Sequence, residues 1–576
     1  MKTDKIFKLL LVGALTIAAS SCEDFLHRPG EDSYNTSNFY QNDAQCLQGV
    51  NYLYNSPWYD FQRGFIKVGE VMSGNMYWGS CPYLSFTTNS TDVDLVNMSY
   101  SLWAVNGHVN AVIDNILRSE GPSQKVKNQA IGEAITLKAL AYFYLVRTFG
   151  EVPIIHNNTE LLNADYNSVR KNTRANVYDY IIMNLEKAME LLPKKTSNWD
   201  NRIDYYAAEA LLAKVYLTKA GLSGSLSKDD LTKAANYAKD VIDNSGRSLT
   251  PVYSDIFRLS PSVYNQTGEP LISWMWTCEG SDWTRQNTLQ SDLGVEGFSG
   301  IGDIWGGWGG PSYDLMLAFG ADPLNSPASR ANELDTRRKA TCMMVGDKYE
   351  YFWTDKGGFD FLRFMYDEDY ANLPTGKQFE GPCGAQNVKH LFGNEADHLA
   401  ALGYNPGRMA YTLPTHVLRL GDLYLVYAEA CLLNGNSAEA LEYVNKIRSR
   451  AGAPELTSVS YDDIWKERRL ELAGEGDRWY DFVRRSYYDI EGAKKDILAQ
   501  KRNNVYSYGE AASNYFETGV WSIDPSVTCY NTDDPAPKVD DSIFTLPLAQ
   551  EDVINNPHLL EEAVEVDVRE TYKYNF

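Results

Sequence analysis

Apolar residues recur with the period of an α-helix from about residue 102 to residue 250. They stand at i, i+3, i+4 and i+7, with alanine at positions that allow helices to pack closely. Four stretches carry the pattern: QAIGEAITLKALAYFYLVRTFG, TRANVYDYIIMNLEKAMELLP, RIDYYAAEALLAKVYLTKAG and LTKAANYAKDVIDNSG. Glycine or proline ends each stretch, as expected where a helix stops. We therefore predict a first block of amphipathic helices over about 102–250.

A second helical block covers about 412–486. Its stretches are THVLRLGDLYLVYAEACLLNG, SAEALEYVNKIRSRAG and IWKERRLELAGEGDRWYDFVRR. In the first block, the alanine and tyrosine pattern of AAEALLAKVYL and AANYAKDVI resembles tetratricopeptide helix pairs. Helix pairs separated by ~170 residues can stack into one scaffold when the intervening chain folds against it. We therefore predict a mainly α protein on a tetratricopeptide-like helix-pair scaffold.

Between the blocks, over about 251–411, the helical period is lost. Short apolar and aromatic runs such as LISWMW and YEYFW alternate with many Gly, Asn, Asp and Pro residues. This composition predicts a loop-rich, irregular portion that contains a few short strands, and loops on a rigid scaffold are where binding sites concentrate. We also predict a C-terminal irregular segment over 487–576.

The N-terminus has the pattern of a secretory signal. Lysines at positions 2, 5 and 8 precede an apolar run, Leu9 to Ala19, that is shorter than the ~20 residues a membrane-spanning helix needs. Small residues then lead to Cys22, which resembles the lipobox of bacterial lipoproteins. The resemblance implies a signal peptide over 1–21, a mature chain over 22–576 and acylation of Cys22. An ordinary cleaved signal with an incidental cysteine is the alternative.

Two acidic residues directly after this cysteine, Glu23 and Asp24, resemble the surface-export signals of Bacteroidetes lipoproteins. They imply that the body of the protein lies outside the cell.

The net charge of −23 and the pI near 4.8 argue against a nucleic-acid partner, since phosphate binding needs clustered Lys and Arg.

The sequence gives little sign of a metal or cofactor. No two of the eight cysteines have CxxC spacing or lie near a paired histidine, which argues against a zinc or redox site. Seven cysteines spread over the mature chain after Cys22 do not resemble a disulfide framework. The acidic run YDEDYANLPTG is a candidate for a structural calcium ion, although its spacing is not that of an EF-hand.

The end of the second block carries a more specific pattern. IWKERRLELAGEGDRWYDFVRR resembles the C-terminal signature of the SusD/RagB family of outer-surface glycan-binding lipoproteins. The matching residues are Glu467, Arg468, Arg469, Glu471, Glu475, Gly476, Arg478, Trp479, Asp481 and Arg484. Four further stretches resemble other motifs of the family: CEDFL, LKALAYFYLVRTFGEVPII, LRLGDLYLVYAEACLLNG and FTLPLAQEDVINNPHL. The resemblance therefore covers essentially the whole chain. Gly474 and Asp477 depart from the signature.

The resemblance implies a scaffold of four tetratricopeptide-like helix pairs, a loop-rich second portion and no enzymatic activity. It also implies a partner, a SusC-like TonB-dependent outer-membrane transporter, over which the lipid-anchored protein sits as a lid on the extracellular side and passes oligosaccharides in. From their spacing on one helix, we interpret Glu467, Arg468 and Glu471 as structural ion pairs and not as catalytic residues.

Candidate glycan contacts are aromatic residues outside the helical pattern. A neutral glycan is held by flat rings with polar side chains nearby, because sugar rings have apolar faces edged by hydroxyl groups. GIGDIWGGWGGPSYD places Trp305 and Trp308 near Asp303 in a segment too rich in glycine for a stable helix or strand. Further candidates in predicted loops are Trp283 with Arg285 and Trp78 with Asn75. The strand-like or helical spacing of five other tryptophans predicts core positions for Trp103, Trp274, Trp276, Trp465 and Trp479.

Two other classes of function stay open. A surface glycoside hydrolase would use two carboxylates held ~5–10 Å apart, and with 76 Asp and Glu residues such pairs arise by chance. The chain has no His-Glu-x-x-His, Gly-x-Ser-x-Gly or Walker motif. A tetratricopeptide scaffold that binds peptides would use its concave helical face. Lipid anchoring together with loop aromatics favours a glycan over a peptide.

Overall fold

The computed structural model describes residues 39–163, 169–258, 266–278, 283–300, 309–371, 383–404, 411–524, 526 and 536–576. The predicted signal peptide and Cys22 lie outside these ranges. The helices of the N-terminal part are α1 (Asp43–Asn51), α2 (Phe61–Ile66), α3 (Pro82–Ser85), α4 (Val93–Arg118), α5 (Gln124–Phe149), α6 (Asn158–Asn163), α7 (Arg174–Leu191), α8 (Tyr205–Lys219) and α9 (Lys228–Asn244).

The long helices of this part pack in sequence order. Helix α4 packs against α5, α5 against α7, α7 against α8, and α8 against α9. The first helical block, which we predicted to begin at about residue 102, begins earlier, with α4 at Val93. It starts there because the Asp92 carboxylate accepts hydrogen bonds from the backbone amides of Asp94 and Leu95, which caps the first turn.

The middle of the chain contains short helices and short strands, as predicted. The helices are α10 (Leu289–Leu293), α11 (Tyr313–Ala318), α12 (Thr336–Thr341), α13 (Phe361–Tyr366), α14 (Glu368–Ala371) and α15 (Glu395–Leu402). The strands of the described chain are β1 (Met76–Trp78), β2 (Pro270–Trp274), β3 (Gly309–Pro311), β4 (Cys342–Met344), β5 (Lys348–Tyr349), β6 (Phe359–Asp360), β7 (Ala385–Asn387) and β8 (Thr415–Arg419). They pair as antiparallel two-stranded sheets: β1 with β3, β2 with β8, β4 with β7 and β5 with β6.

The C-terminal part continues the helical scaffold. Its helices are α16 (Leu420–Leu433), α17 (Ser437–Ala451), α18 (Tyr461–Leu472), α19 (Arg478–Ser486), α20 (Ile490–Ala499), α21 (Gly509–Thr518), α22 (Gln550–Asn555) and α23 (Val568–Thr571). Helix α16 packs on α9 and on α17, so the two predicted blocks form one stack. The prediction of an irregular segment after residue 486 is wrong for α20 and α21. Helix α20 is capped by the Asp489 side chain and buries Ala493 and Ile497.

The tryptophans predicted to be core residues pack inside the molecule. Trp274, Trp276, Trp465 and Trp479 are buried, and Trp103 is partly buried against the same core. The predicted strand in LISWMW is β2, which ends at Trp274. Together, the helices and strands given above confirm the predicted mainly α fold with a few short strands.

A buried network of ion pairs involves residues of the family signature. The signature covers helices α18 and α19, which we call the signature helices. The Glu471 carboxylate contacts Arg419 at 2.6 Å, Arg337 at 3.4 Å and Arg450. The Glu475 carboxylate contacts Arg419 and Lys389, each at 2.7 Å. Burial by itself raises the pKa of Glu475, but the two cations lower it to about 2. We call these six residues the signature network: Arg337, Lys389, Arg419, Arg450, Glu471 and Glu475.

A neighbouring set of charges joins the two helical blocks. Arg468 of α18 contacts Asp422 of α16 at 2.9 Å and Asp481 of α19 at 3.0 Å. Lys214 of α8 contacts both Asp422 and Asp477 at 2.6 Å. Glu467 of α18 contacts Arg337 at 2.5 Å and Arg448 at 2.8 Å. Glu467, Arg468 and Glu471 therefore do form ion pairs, but we were wrong to place the partners on the same helix. Their partners lie on other elements because these side chains point inward, where several segments meet.

Six cysteines of the described chain are buried: Cys46, Cys81, Cys278, Cys342, Cys383 and Cys431. In the same ranges no helix is both long enough and apolar enough to cross a membrane.

Candidate functional site

A row of polar and aromatic side chains runs along α2 and the residues on either side of it. Tyr59, Arg63 and Lys67 are spaced by four; Tyr59 precedes the helix and Lys67 follows it. The opposite face is fixed by Phe61 and Phe65, whose rings lie 5.6 and 5.3 Å from the ring of Trp274. On the other side of the helix Arg63 is exposed, and Tyr59 and Lys67 are half-buried.

Trp283 stands at one end of the row. It begins a 3-10 turn, Trp283–Arg285, and 41% of its surface is exposed. Its indole N–H donates a hydrogen bond to the Tyr59 hydroxyl at 2.5 Å, which orients the ring. A cavity of about 450 Å³ opens beside the two rings, and we call it the Trp283 cavity. It is lined by Tyr59, Asp60, Gln62, Arg63, Asn97, Trp283, Thr288, Ser291 and Asp292.

A charged pair forms the polar part of this cavity. The Arg63 guanidinium, whose side chain is 55% exposed, lies 3.3 Å from the Asp292 carboxylate, which is mostly buried. Burial raises the pKa of Asp292, and Arg63 opposes this effect without cancelling it. The pair presents hydrogen-bond donors and acceptors next to a flat ring, which is the arrangement that a sugar with several hydroxyl groups requires.

Trp78 stands at the other end of the row. Our prediction of a loop is wrong here, because Trp78 ends β1 and pairs with Gly309 of β3. A Cβ on Gly309 would lie 2.5 Å from the Trp78 ring, so only glycine allows the two strands to meet over this side chain. The Lys67 ammonium group lies 5.2 Å from the ring centroid and pairs with Asp94. Trp78 is half-buried and exposes only part of its ring.

Asn75, which we predicted as a ligand contact beside Trp78, makes its hydrogen bonds inside the protein. It is buried, its amide nitrogen donates to Glu70 at 3.0 Å, and its amide oxygen accepts from Arg469 at 2.8 Å. The residue therefore ties the chain before β1 to helix α18. Spacing alone could not identify this role, because Asn75 and Arg469 are far apart in the sequence.

Four predicted site residues remain. Trp305, Trp308 and Asp303 lie outside the described residues and stay predictions. Arg285 is exposed and faces a second cavity on the other side of the turn from Trp283. Our sequence reasoning missed Tyr59, Arg63 and Asp292. The spacing of four within YDFQRGFIK was the available signal for the first two residues.

The first carboxylate of the candidate calcium run, that of Asp367, makes its hydrogen bonds within the protein. Asp367 accepts hydrogen bonds from Arg363 at 2.7 and 2.9 Å and from the backbone amide of Tyr370 at 3.1 Å. Across the described ranges, no three His, Cys, Asp or Glu side chains are grouped so that they could hold a metal ion. The rest of the run, from residue 372, lies outside those ranges.

Comparison with known proteins agrees with the fold and with the signature. The sequence profile of the SusD family matches residues 306–563, and a profile described as starch-binding associating with outer membrane matches residues 31–217. A SusD-like protein of Bacteroides ovatus is 29% identical over 583 aligned positions, which cover 97% of this chain and 98% of that protein.

Solved structures share the architecture. A crystal structure with xylogluco-oligosaccharide is 27% identical, with a TM-score of 0.75, over 91% of this chain and 99% of that chain. A laminarin-binding SusD-like protein is 24% identical, with a TM-score of 0.58, over 80% of this chain and 94% of its own, and shares the fold. Because the two profiles together match both helical blocks and the relatives align along nearly the whole chain, this chain belongs to the SusD family.

Proposed function

We propose that this protein captures a neutral oligo- or polysaccharide on the outer surface of the outer membrane and delivers it to a SusC-like TonB-dependent transporter. The observation that carries the proposal is the exposed Trp283 ring, held by Tyr59 beside the Arg63–Asp292 pair. A large exposed ring oriented by a hydrogen bond is expected to bind a ligand, because a ring that only completes the core would be covered.

The chemistry of the Trp283 cavity suits a neutral sugar. The indole face offers apolar contact to the C–H face of a pyranose ring, while Arg63, Asp292 and Asn97 lie around it for the hydroxyl groups. Arg63 is already paired with a carboxylate, so the cavity has no strong excess of positive charge for an acidic sugar. The structural relative with xylogluco-oligosaccharide supports a glucan as the first ligand to test.

Delivery rests on the family and on the N-terminus. A lipid on Cys22 would hold the protein at the membrane, since acyl chains contribute about 0.8 kcal/mol for each buried CH₂ group. Glu23 and Asp24 favour the extracellular side, and the second profile is described as associating with the outer membrane. The helical stack offers a broad surface that could contact the transporter.

The test is isothermal titration of the chain begun after Cys22 with xyloglucan oligosaccharides, laminarin and an acidic polysaccharide. We expect one neutral glycan to bind and Trp283→Ala to remove that binding without a change in thermal unfolding. Reducing ends are measured in the same samples, because Asp60 and Asp292 line one cavity and burial raises the pKa of each. Release of reducing ends would identify a hydrolase, and no binding by any glycan would contradict the proposal.

A further inference from the structure

A second cavity, of about 520 Å³, lies beside the Trp283 cavity. It is lined by Gln48, Asn51, Tyr52, Tyr54, Asn55, Asp200, Asn201, Arg202, Met275, Thr277 and Arg285. We call it the Tyr52 cavity. We propose that it is a second subsite, which binds further neutral sugar units of the same glycan chain. This inference rests on the proposed function and extends it from one sugar-binding position to an extended cleft.

Two chain segments contribute residues to both cavities. Residues 48–55 line the Tyr52 cavity, and residues 59–63 of the same segment line the Trp283 cavity. In the turn Trp283–Arg285, the last residue faces the Tyr52 cavity and the first residue faces the Trp283 cavity. The two cavities are therefore neighbours along one surface, separated by a single turn of chain, and a linear ligand that fills one is directed toward the other.

Backbone hydrogen bonds fix the boundary between the cavities. The amide of Thr277 donates to the carbonyl oxygen of Arg285 at 2.8 Å, and the amide of Met275 donates to that of Tyr54 at 2.9 Å. The side-chain amide of Asn55 adds a bond to the carbonyl oxygen of Met275 at 3.0 Å. A site held in this way is preformed, so less ordering cost opposes binding.

The Tyr52 cavity repeats the chemistry of its neighbour. The Tyr52 ring is 37% exposed and meets the ring of His108 edge to face, with centroids 5.0 Å apart. The Met275 side chain adds apolar surface, and Asn51 and Asn201 contribute amide groups. An exposed ring surrounded by amides again fits a sugar with an apolar face and a polar edge.

The charges of the cavity favour a neutral sugar over an acidic one. Arg202 donates two hydrogen bonds to the buried Glu133 carboxylate, at 2.7 and 2.9 Å, and one to the Asn51 side-chain oxygen at 2.7 Å. The Tyr54 hydroxyl donates to the same carboxylate at 2.8 Å. The positive charge of Arg202 is therefore neutralised within the protein, and the other two charged residues of the lining, Arg285 and Asp200, carry opposite charges.

The experiment compares ligand lengths. Xyloglucan oligosaccharides of one, two and three repeat units and the polymer are titrated into the wild type, Tyr52→Ala and Trp283→Ala; laminarin oligosaccharides replace them if only laminarin binds. Phe516→Ala is the matched control, since that ring is 38% exposed and stacks on Tyr366 in another part of the molecule. Thermal unfolding of each variant checks that the fold is kept.

We expect Tyr52→Ala to leave the affinity for the shortest ligand unchanged and to weaken binding of the longest ligands about tenfold, as for an interface aromatic. Trp283→Ala should weaken all lengths. Equal affinities of Tyr52→Ala and the wild type at every length would overturn the second subsite while the proposed function stands. Binding of no length by the wild type would overturn both.

Discussion

The signature network and the Trp283 cavity use the same kinds of side chain in opposite ways. In the network, Arg419, Glu471 and Glu475 are almost wholly buried, and each carboxylate contacts at least two cations. In the cavity, Arg63 is more than half exposed and has one carboxylate partner, and the Trp283 ring faces solvent. The family signature therefore marks residues that hold the fold, whereas the cavity has groups left available for a ligand.

This contrast also explains why the pKa shifts differ in sign. Several cations lower the pKa of Glu475 despite its burial, whereas the single, exposed Arg63 does not overcome the effect of burial on Asp292, whose pKa is raised. Ionised carboxylates thus stabilise the fold in the network. In the cavity the ionised carboxylate has a cost in stability, as is common at binding sites.

The largest effect is expected from Glu471→Gln. The change leaves Arg337, Arg419 and Arg450 buried without their shared carboxylate, so the free energy of unfolding should fall by about 3–5 kcal/mol. Urea unfolding measures it. Asp243→Asn is the control, because its pair with Lys239 lies on the surface and should contribute less than about 0.5 kcal/mol. Equal effects of the two changes would contradict a structural role for the network.

Stability should fall on the acid side, and Glu475 should account for part of the loss. Its folded pKa of about 2 lies below the usual glutamate value of 4.5, so its contribution is complete above pH 4.5. The contribution is lost as the pH falls from about 4.5 toward 2 and amounts to a few kcal/mol. Melting temperatures measured through this range should fall less steeply for Glu475→Gln than for the wild type. Parallel curves would show that Glu475 does not titrate in this way.

An intermediate effect is expected from Asn75→Ala. Loss of the amide leaves polar atoms of the buried Glu70 and the partly buried Arg469 without one partner each, and should cost about 1–3 kcal/mol of unfolding free energy. The folded fraction should bind glycan as the wild type does. A loss of affinity with unchanged stability would instead restore Asn75 as a ligand contact.

The smallest effect on stability, and one of opposite sign, is expected from Asp292→Asn. Because burial raises the pKa of Asp292, its ionised form opposes folding, and this cost grows as the pH rises through the folded pKa. The variant should be as stable as the wild type at pH 7 or more stable, and the difference should vanish at low pH. Thermal unfolding of the variant and the wild type at pH 7 and at low pH tests this. A variant that is less stable than the wild type at pH 7 would contradict it.

Much of the scaffold could be predicted because a helix has a local pattern. The 3.6-residue period located the long helices, and alternation located β2. Pairing over long distances left no such pattern. Nothing near Trp78 indicates that it meets Gly309, and nothing near Glu471 indicates Arg337 or Arg419 as partners. Trp283 stood out as an aromatic residue outside the helical pattern, but its partners Tyr59 and Asp292 come from other segments.

The most direct test of the contrast is amide hydrogen exchange of the whole chain, with and without the glycan that binds. We predict slower exchange with glycan in peptides that cover residues 52–63 and 283–292, and unchanged exchange across 461–486, where the signature helices lie. Protection across 461–486 with none in 283–292 would contradict the account, because the signature residues would then form the binding site.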